Sequence, residues 1–237
     1  MINRNRTFSI SKIQTAKDAV DGKFTGSEVQ RVFNFPKGIE WFTAKEGTNR
    51  LNIIPYEVKT KNHPAYRTGN TKIGDLEFYY PLNVHKYFGQ LKASVVCPKQ
   101  FGQTCPICEQ GQNLFDSGDK ENAKKFWPSK RVYYNVEDIA DPGKLKIFET
   151  SATLFHKELV DEASQGSEEG QVNFADFNNG KTVRCRATKV VKGPFEYLEF
   201  KSFAFEDRPP ISDEVFNQII SLDECVKILP YNDIVKI

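Results

Sequence analysis

Among the residues able to ligate a soft metal, four stand close together: His85, Cys97, Cys105 and Cys108. Eleven residues separate the histidine from the first cysteine, seven lie between the first two cysteines, and two between the last pair. Three thiolates and one imidazole are the donor set of a closed, tetrahedral structural zinc site. A Cys-x-x-Cys turn lets two thiolates grip one ion, and the longer intervening segments can bring the other two donors round to it. The expected cofactor is therefore one structural Zn2+, which would add folding free energy to a lobe lacking a core of its own. His85 is the favoured fourth ligand because it follows a strand-like stretch. His63, just before Pro64, is the reserve, and His156 is assigned to the surface. Cysteine is otherwise a small buried hydrophobe, which suits Cys185 in a strand pattern and Cys225 ahead of an apolar run.

Two enzymatic readings compete for the same cysteines. Cys105-Pro106-Ile107-Cys108 has the form of a redox pair activated at a helix N-terminus. That leaves His85 and Cys97 unexplained, and the flanking chain shows no βαβ pattern. A zinc deaminase needs His-x-Glu and Pro-Cys-x-x-Cys, but Tyr87 and Thr104 occupy the positions of the glutamate and the proline. A closed four-ligand site offers no open position for water or substrate. The chain is accordingly read as a binding protein and not an enzyme. A thiol-disulfide oxidoreductase using Cys105 and Cys108 and a zinc-dependent protein-interaction module are the alternatives.

The elements that must position these ligands are mostly strands. In 237 residues, 39% hydrophobic and 13% aromatic content suffices for a sizeable core. No apolar run approaches the roughly 18 residues of a membrane span, so no membrane partner is expected. The N-terminus lacks the apolar centre of a secretory signal, and clustered free cysteines suit a reducing cytoplasm. Strand-like text covers 49–54, 76–84, 131–139, 144–150, 181–191 and 195–205. Asp141-Pro142-Gly143 and Lys192-Gly193-Pro194 supply turns, and Pro81 marks an edge or bulge. Helices are expected after Pro106, over 154–162 and after Ser212. Roughly five to seven strands with short turns indicate a mainly β fold with α+β inserts, a small barrel carrying a metal-bearing insertion. The expected organisation is a basic arm over 1–25, a core over 26–230, a zinc subdomain inserted over 76–130, and a C-terminal end over 231–237.

Net charge is only +2, but the cations are segregated. Lys120, Lys124, Lys125, Lys130 and Arg131 face a single acid, Glu121, and 181–192 holds Lys181, Arg184, Arg186, Lys189 and Lys192 with none. Aromatic residues recur beside these clusters: Phe101 near Lys99, Trp127 after Lys124 and Lys125, Tyr133 and Tyr134 after Arg131, Phe195 and Tyr197 after Lys192. Stacking an unpaired base on an aromatic ring contributes roughly 1–3 kcal/mol, and adjacent cations would hold the phosphates. Aromatic residues in strands are also ordinary core packing. Because strand side chains alternate faces, one of Tyr133 and Tyr134 is expected to face outward.

The His85…Cys97…Cys105-Pro-Ile-Cys108 set, with Asn113-Leu-Phe115, Arg131-Val-Tyr-Tyr-Asn-Val136, Asp141-Pro-Gly-Lys144, Phe195-Glu-Tyr197 and Ile211-Ser-Asp-Glu-Val-Phe216, resembles the gene 32-type single-stranded DNA-binding proteins of T-even-like bacteriophages. The likeness covers about residues 35–225, and the ligand set is its most specific part. It implies a five-stranded OB-fold barrel with a zinc subdomain, coating single-stranded DNA in phage replication, recombination and repair inside an infected cell. It also implies a cleft in which Phe101, Phe115, Tyr133, Phe148, Phe195 and Tyr197 stack on bases while Lys130 and Arg131 meet phosphate. The clusters add Lys124, Lys125, Trp127, Tyr134, Arg184, Arg186 and Lys189 to the candidate DNA contacts. By the same resemblance the partners are the strand itself, further copies of the chain along it through Arg4, Arg6 and Thr7, and phage replication or recombination proteins. Arg4-Asn5-Arg6-Thr7 is looser than the family's basic motif, and the stretch 232–237 does not have the composition of the family's acidic tail.

Overall fold

The computed structural model describes residues 32–88, 93–165, 171–193 and 195–237. The arm over 1–25, with Arg4, Arg6 and Thr7, lies outside them. The fold is mainly β, as expected. Its strands are β1 (Glu40–Trp41), β2 (Gly47–Ile54), β3 (Tyr56–Glu57), β4 (Leu76–Glu77), β5 (Tyr80–Phe88), β6 (Ala93–Val96), β7 (Ser129–Asp138), β8 (Leu145–Ser151), β9 (Lys181–Lys192) and β10 (Phe195–Asp207). Eight of them form one sheet in the order β1-β8-β7-β2-β9-β10, with β5 beside β7 and β6 beyond β5; β3 and β4 pair separately. The sheet is mixed, because the short β1 runs parallel to β8 while the other ladders are antiparallel.

The barrel closure expected from the sequence is not seen. Among the described residues no ladder joins β10 to β8, whose outer edge is occupied by β1. Side chains span the gap instead. Phe200 meets Phe155 edge-on at 5.1 Å and Phe148 at 6.3 Å.

β7 is the hub. Its Tyr80-facing half pairs with β5, its other half pairs with β2 along the same run, and β8 lies on its far side. Arg131 through Glu137 are all buried. A strand covered on both faces has no outward side, so the expectation that Tyr133 or Tyr134 would face out fails. Tyr134 points among Phe78, Phe148 and Phe155. Tyr133, on the opposite face, is covered by Phe33 at 4.7 Å, and Asn135 on that face donates to the Ile220 carbonyl at 2.8 Å. The covering residues come from opposite ends of the chain, joined where Phe33 bridges Val226.

Seven short α-helices complete the described residues. α1 (Pro64–Arg67) lies before β4; α2 (Pro106–Asp116) begins after Cys105 and contains Cys108, and α3 (Lys120–Ala123) follows it. A π-helical turn over Ala152–His156 runs directly into α4 (Lys157–Gln165). α5 (Asp213–Phe216), α6 (Leu222–Cys225) and α7 (Tyr231–Val235) end the chain. His156, assigned to the surface from sequence, is fully buried: Tyr79 stacks on it at 4.5 Å and the Tyr134 hydroxyl meets its Nδ1.

A second, smaller apolar cluster stands apart from the main core. It comprises Ala93, Val95, Cys97, Cys105, Ile107, Cys108 and Ile234, with Phe88, Phe126, Leu229 and Ile237 packed around it. This lobe lies within the expected insertion except for its C-terminal contributors. α7 docks on α2, where the Tyr231 hydroxyl donates to Glu109 Oε2 at 2.6 Å.

Candidate metal centre and adjoining cleft

Two local structures bring the four ligands together. The β5–β6 hairpin places His85 opposite Val95 and Val84 opposite Val96, so Cys97, the next residue, returns beside His85. Pro98 then starts a 3-10 turn over Pro98–Phe101 that ends at Gly102, whose φ of +81° is the left-handed region glycine tolerates. Cys105 is the N-cap of α2, Pro106 fills the first helical position, and Cys108 lies in the first turn. The helix N-terminus thus faces two of the three sulfurs, where its dipole favours thiolate charge.

The donor atoms of His85, Cys97, Cys105 and Cys108 all lie within 4.8 Å of one another, and all four residues are buried. His85 Nε2 is 3.4 Å from Cys105 Sγ and 3.6 Å from Cys108 Sγ; Cys97 and Cys108 sulfurs are 3.5 Å apart. Metal-ligand bonds of about 2.3 Å to sulfur and 2.0–2.1 Å to nitrogen set tetrahedral edges of about 3.6–3.8 Å. The observed edges match within a few tenths of an ångström, and the cysteines are free thiols, not disulfides. The residues therefore fit one metal ion. Without a cation the three thiols compete for charge. Hydrogen bonding from Cys108 and then Cys97 holds the Cys105 thiol far below its usual value. Hydrogen bonding with Cys105 raises Cys97 strongly and pushes Cys108 up to about 11. His63 is excluded from the centre: its Nδ1 accepts from the Ala65 amide at 3.2 Å, capping α1. Cys185 is buried in β9, a packing role, and Cys225 is half-buried.

Beside the lobe lies a cleft of about 430 Å³. α1 forms one wall, Gln100 from the turn after Cys97 another; Asn83, Lys130 and Arg131 contribute from the sheet, and Tyr79 from the segment just before β5. Beneath it a buried ion cluster links β5, β7 and β8. Glu149 Oε1 accepts from Arg131 Nε at 2.7 Å and from Lys86 Nζ at 3.1 Å, with all three side chains under a tenth exposed. Burial, then the nearby Arg131 charge, lowers the Lys86 pKa despite Glu149. Two cations thus share one carboxylate oxygen.

The candidate contacts predicted from sequence divide into distinct settings. Lys130 and Arg131 reach the cleft; Tyr133, Tyr134 and Phe148 are core residues, at most 3% exposed, with no ring face available to a base. Phe101 is half-buried against the main core. Phe115 and Trp127 are exposed at 44% and 39% on the lobe, with exposed Lys124 and Lys125 nearby in the chain, and Lys120 Nζ sits 5.5 Å over the Phe115 ring. Phe195 is 61% exposed and Tyr197 half-buried, on the β9–β10 ribbon that extends beyond the part of β9 paired with β2. Phe195 pairs with Lys192 and Tyr197 with Val190, so these four residues share one ribbon face.

The basic run over 181–192 is less basic in space than in sequence. β10 supplies acids across the ladder: Lys181 pairs with Asp207, Arg184 with Glu206 and Lys189 with Glu196. Arg186 and Lys192 remain exposed. Sequence reading also missed Trp41, 38% exposed on β1 and edge-on to Phe35 at 5.6 Å, and the amide-bearing Gln100. The aromatic doublet Trp41-Phe42 was a signal for the first; only the fold reveals the second.

No protein-family model and no curated protein matches the chain.

Proposed function

We propose that the protein binds single-stranded DNA without regard to sequence, in the manner of the phage proteins its ligand pattern resembles, and that it is not an enzyme. The observation that carries this reading is the joint placement of a one-histidine, three-cysteine centre and a cleft that its lobe helps to wall. Lys130 and Arg131 stand at that cleft, and exposed rings and lysines lie on the lobe. One Zn2+ is the ion this donor set suits best, and when bound it supplies structural cross-linking of the lobe. The remaining functions fall to side chains. Lys130 and Arg131 attract phosphate; Trp127, Phe115 and Phe195 offer faces to unpaired bases.

The sheet order supports an OB-type reading. Taking β2, β7, β8, β9 and β10 as strands one to five gives the order 3-2-1-4-5, with α4 between the third and fourth. That is the strand order of a partly open five-stranded OB barrel. The ribbon carrying Phe195 is then the hairpin between strands four and five, a loop such folds use on oligonucleotides. A redox role is disfavoured because Cys105 and Cys108 are buried and share their pocket with Cys97 and His85. Copies of the chain along one strand, replication or recombination proteins, and the cytoplasm of an infected cell belong to the same proposal.

The test is fluorescence anisotropy with a labelled oligo(dT) and a duplex of equal length. The single strand should bind more tightly, and Lys130→Ala and Trp127→Ala should each weaken it severalfold. Equal affinity for both forms, or indifference to both substitutions, overturns the reading.

A further inference from the structure

The turn between the metal centre and the cleft is built around one side-chain amide. β6 stops pairing with β5 after Val96, and the next contact is the Cys97 amide donating to the Asn83 carbonyl at 2.8 Å. Beyond that point no strand lies along this edge of β5 among the described residues. The Gln100 side chain takes its place. Gln100 Oε1 accepts from the Asn83 amide at 2.7 Å, and Nε2 donates to the Pro81 carbonyl at 3.0 Å. Pro81 has no amide hydrogen of its own, so an amide side chain that gives one bond and receives one matches this edge. Pro81, Asn83 and Gln100 all line the cleft.

We propose that Gln100 is a positioning residue that couples occupancy of the His85/Cys97/Cys105/Cys108 centre to the shape of the cleft floor. The statement rests on the reading that the cleft takes single-stranded DNA. Only two residues separate Cys97 from Gln100, and the turn between them is internally bonded. The Gln100 amide donates to the Cys97 carbonyl at 3.2 Å and the Gly102 amide to the Lys99 carbonyl at 3.1 Å. The same turn holds the opposite wall, since Arg67 Nη1 of α1 donates to the Lys99 carbonyl at 3.4 Å. With an ion bound, the Cys97 sulfur is fixed and so is the first residue of this turn. When the ion is removed, three crowded thiols relax, the turn loses its anchor, and Gln100 releases Pro81 and Asn83.

The experiment compares wild type with Gln100→Met, a variant of similar length without hydrogen-bonding groups, each zinc-loaded and chelated. Two quantities are read: hydrogen exchange at the Asn83 amide and affinity for oligo(dT). Gln100→Met should keep one zinc per chain yet exchange Asn83 faster, while the β7–β8 ladder amides stay protected. Chelation of wild type should speed the same amide. Gln100→Met alone should weaken oligo(dT) binding by about tenfold, as two lost hydrogen bonds imply, and chelation, which also loosens the lobe, by at least as much. The two together should weaken it by little more, because they break one linkage. Losses that multiply, or an Asn83 amide indifferent to chelation, overturn the coupling. Should zinc-loaded wild type fail to bind oligo(dT), the functional reading fails, and the exchange measurements decide the coupling alone.

Discussion

At the scale of single residues, the ligands are the best-supported prediction. Cys105→Ser removes a donor whose sulfur lies 3.4 Å from His85 Nε2. Structural zinc sites contribute on the order of 10 kcal/mol of apparent binding free energy to folding, so the variant should lose stoichiometric metal and melt at lower temperature. Metal analysis beside a thermal melt checks this; full zinc retention with an unchanged melt would refute it. The ligand set was legible because spacing constrains metal geometry within one stretch of chain. Tyr133 and Tyr134 were not, because Phe33, which covers the first, and Phe78, which packs on the second, come from distant sequence. Tyr134→Phe should therefore act on stability, not on nucleic acid. It removes the buried hydroxyl that meets His156 Nδ1, a loss of about 1–2 kcal/mol, visible by denaturant unfolding. A change in oligo(dT) affinity at unchanged stability would contradict that assignment.

At the scale of elements, α2 rests on a close approach. A Cβ on Gly111 would lie 2.8 Å from Phe126 Cβ and 3.2 Å from the Trp127 ring. Alanine's helix propensity would favour Gly111→Ala by about 1 kcal/mol, but overpacking costs about 1–3 kcal/mol. The clash wins, because the nearest atom is bound directly to the Phe126 backbone. The lobe should loosen, shown by faster exchange of α2 amides and a shifted Trp127 emission; an unshifted, more stable variant would contradict the packing described. The β9–β10 hairpin and its Gly193 turn were readable from alternation and turn chemistry, as was the helix beginning at Pro106. The cross-strand acids Glu196, Glu206 and Asp207 were not, since neutralisation depends on register. The same blindness hid Gln100, whose partners Pro81 and Asn83 lie on a strand read as separate from the cysteine loop.

At the scale of the whole molecule, two cores share one chain. The larger holds the sheet; the smaller forms around the candidate metal ligands and is completed by Leu229, Ile234 and Ile237. The mainly β class was legible from strand and turn patterns, whereas barrel closure was not. Closure turns on the free edges of β8 and β10, and local sequence does not report that β1 occupies one of them. The segment leading to α7 also crosses between the cores, bridging Phe33 at Val226 before Ile234 enters the lobe. Ile234→Asp should destabilise the lobe by several kcal/mol by placing a charge in an apolar site, read as easier zinc loss to chelator; unchanged retention would contradict the docking. The proposed function predicts an electrostatic signature of the assembled surface. Each phosphate neutralised on a single strand contributes about 0.7 to the slope of log affinity against log salt. The most direct measurement is therefore a titration of the zinc-loaded protein with oligo(dT) across a salt series, followed by tryptophan emission, since Trp41 and Trp127 are both partly exposed. The account predicts quenching on binding and an affinity that falls steeply as salt rises; no quenching, or an affinity flat in salt, would contradict it.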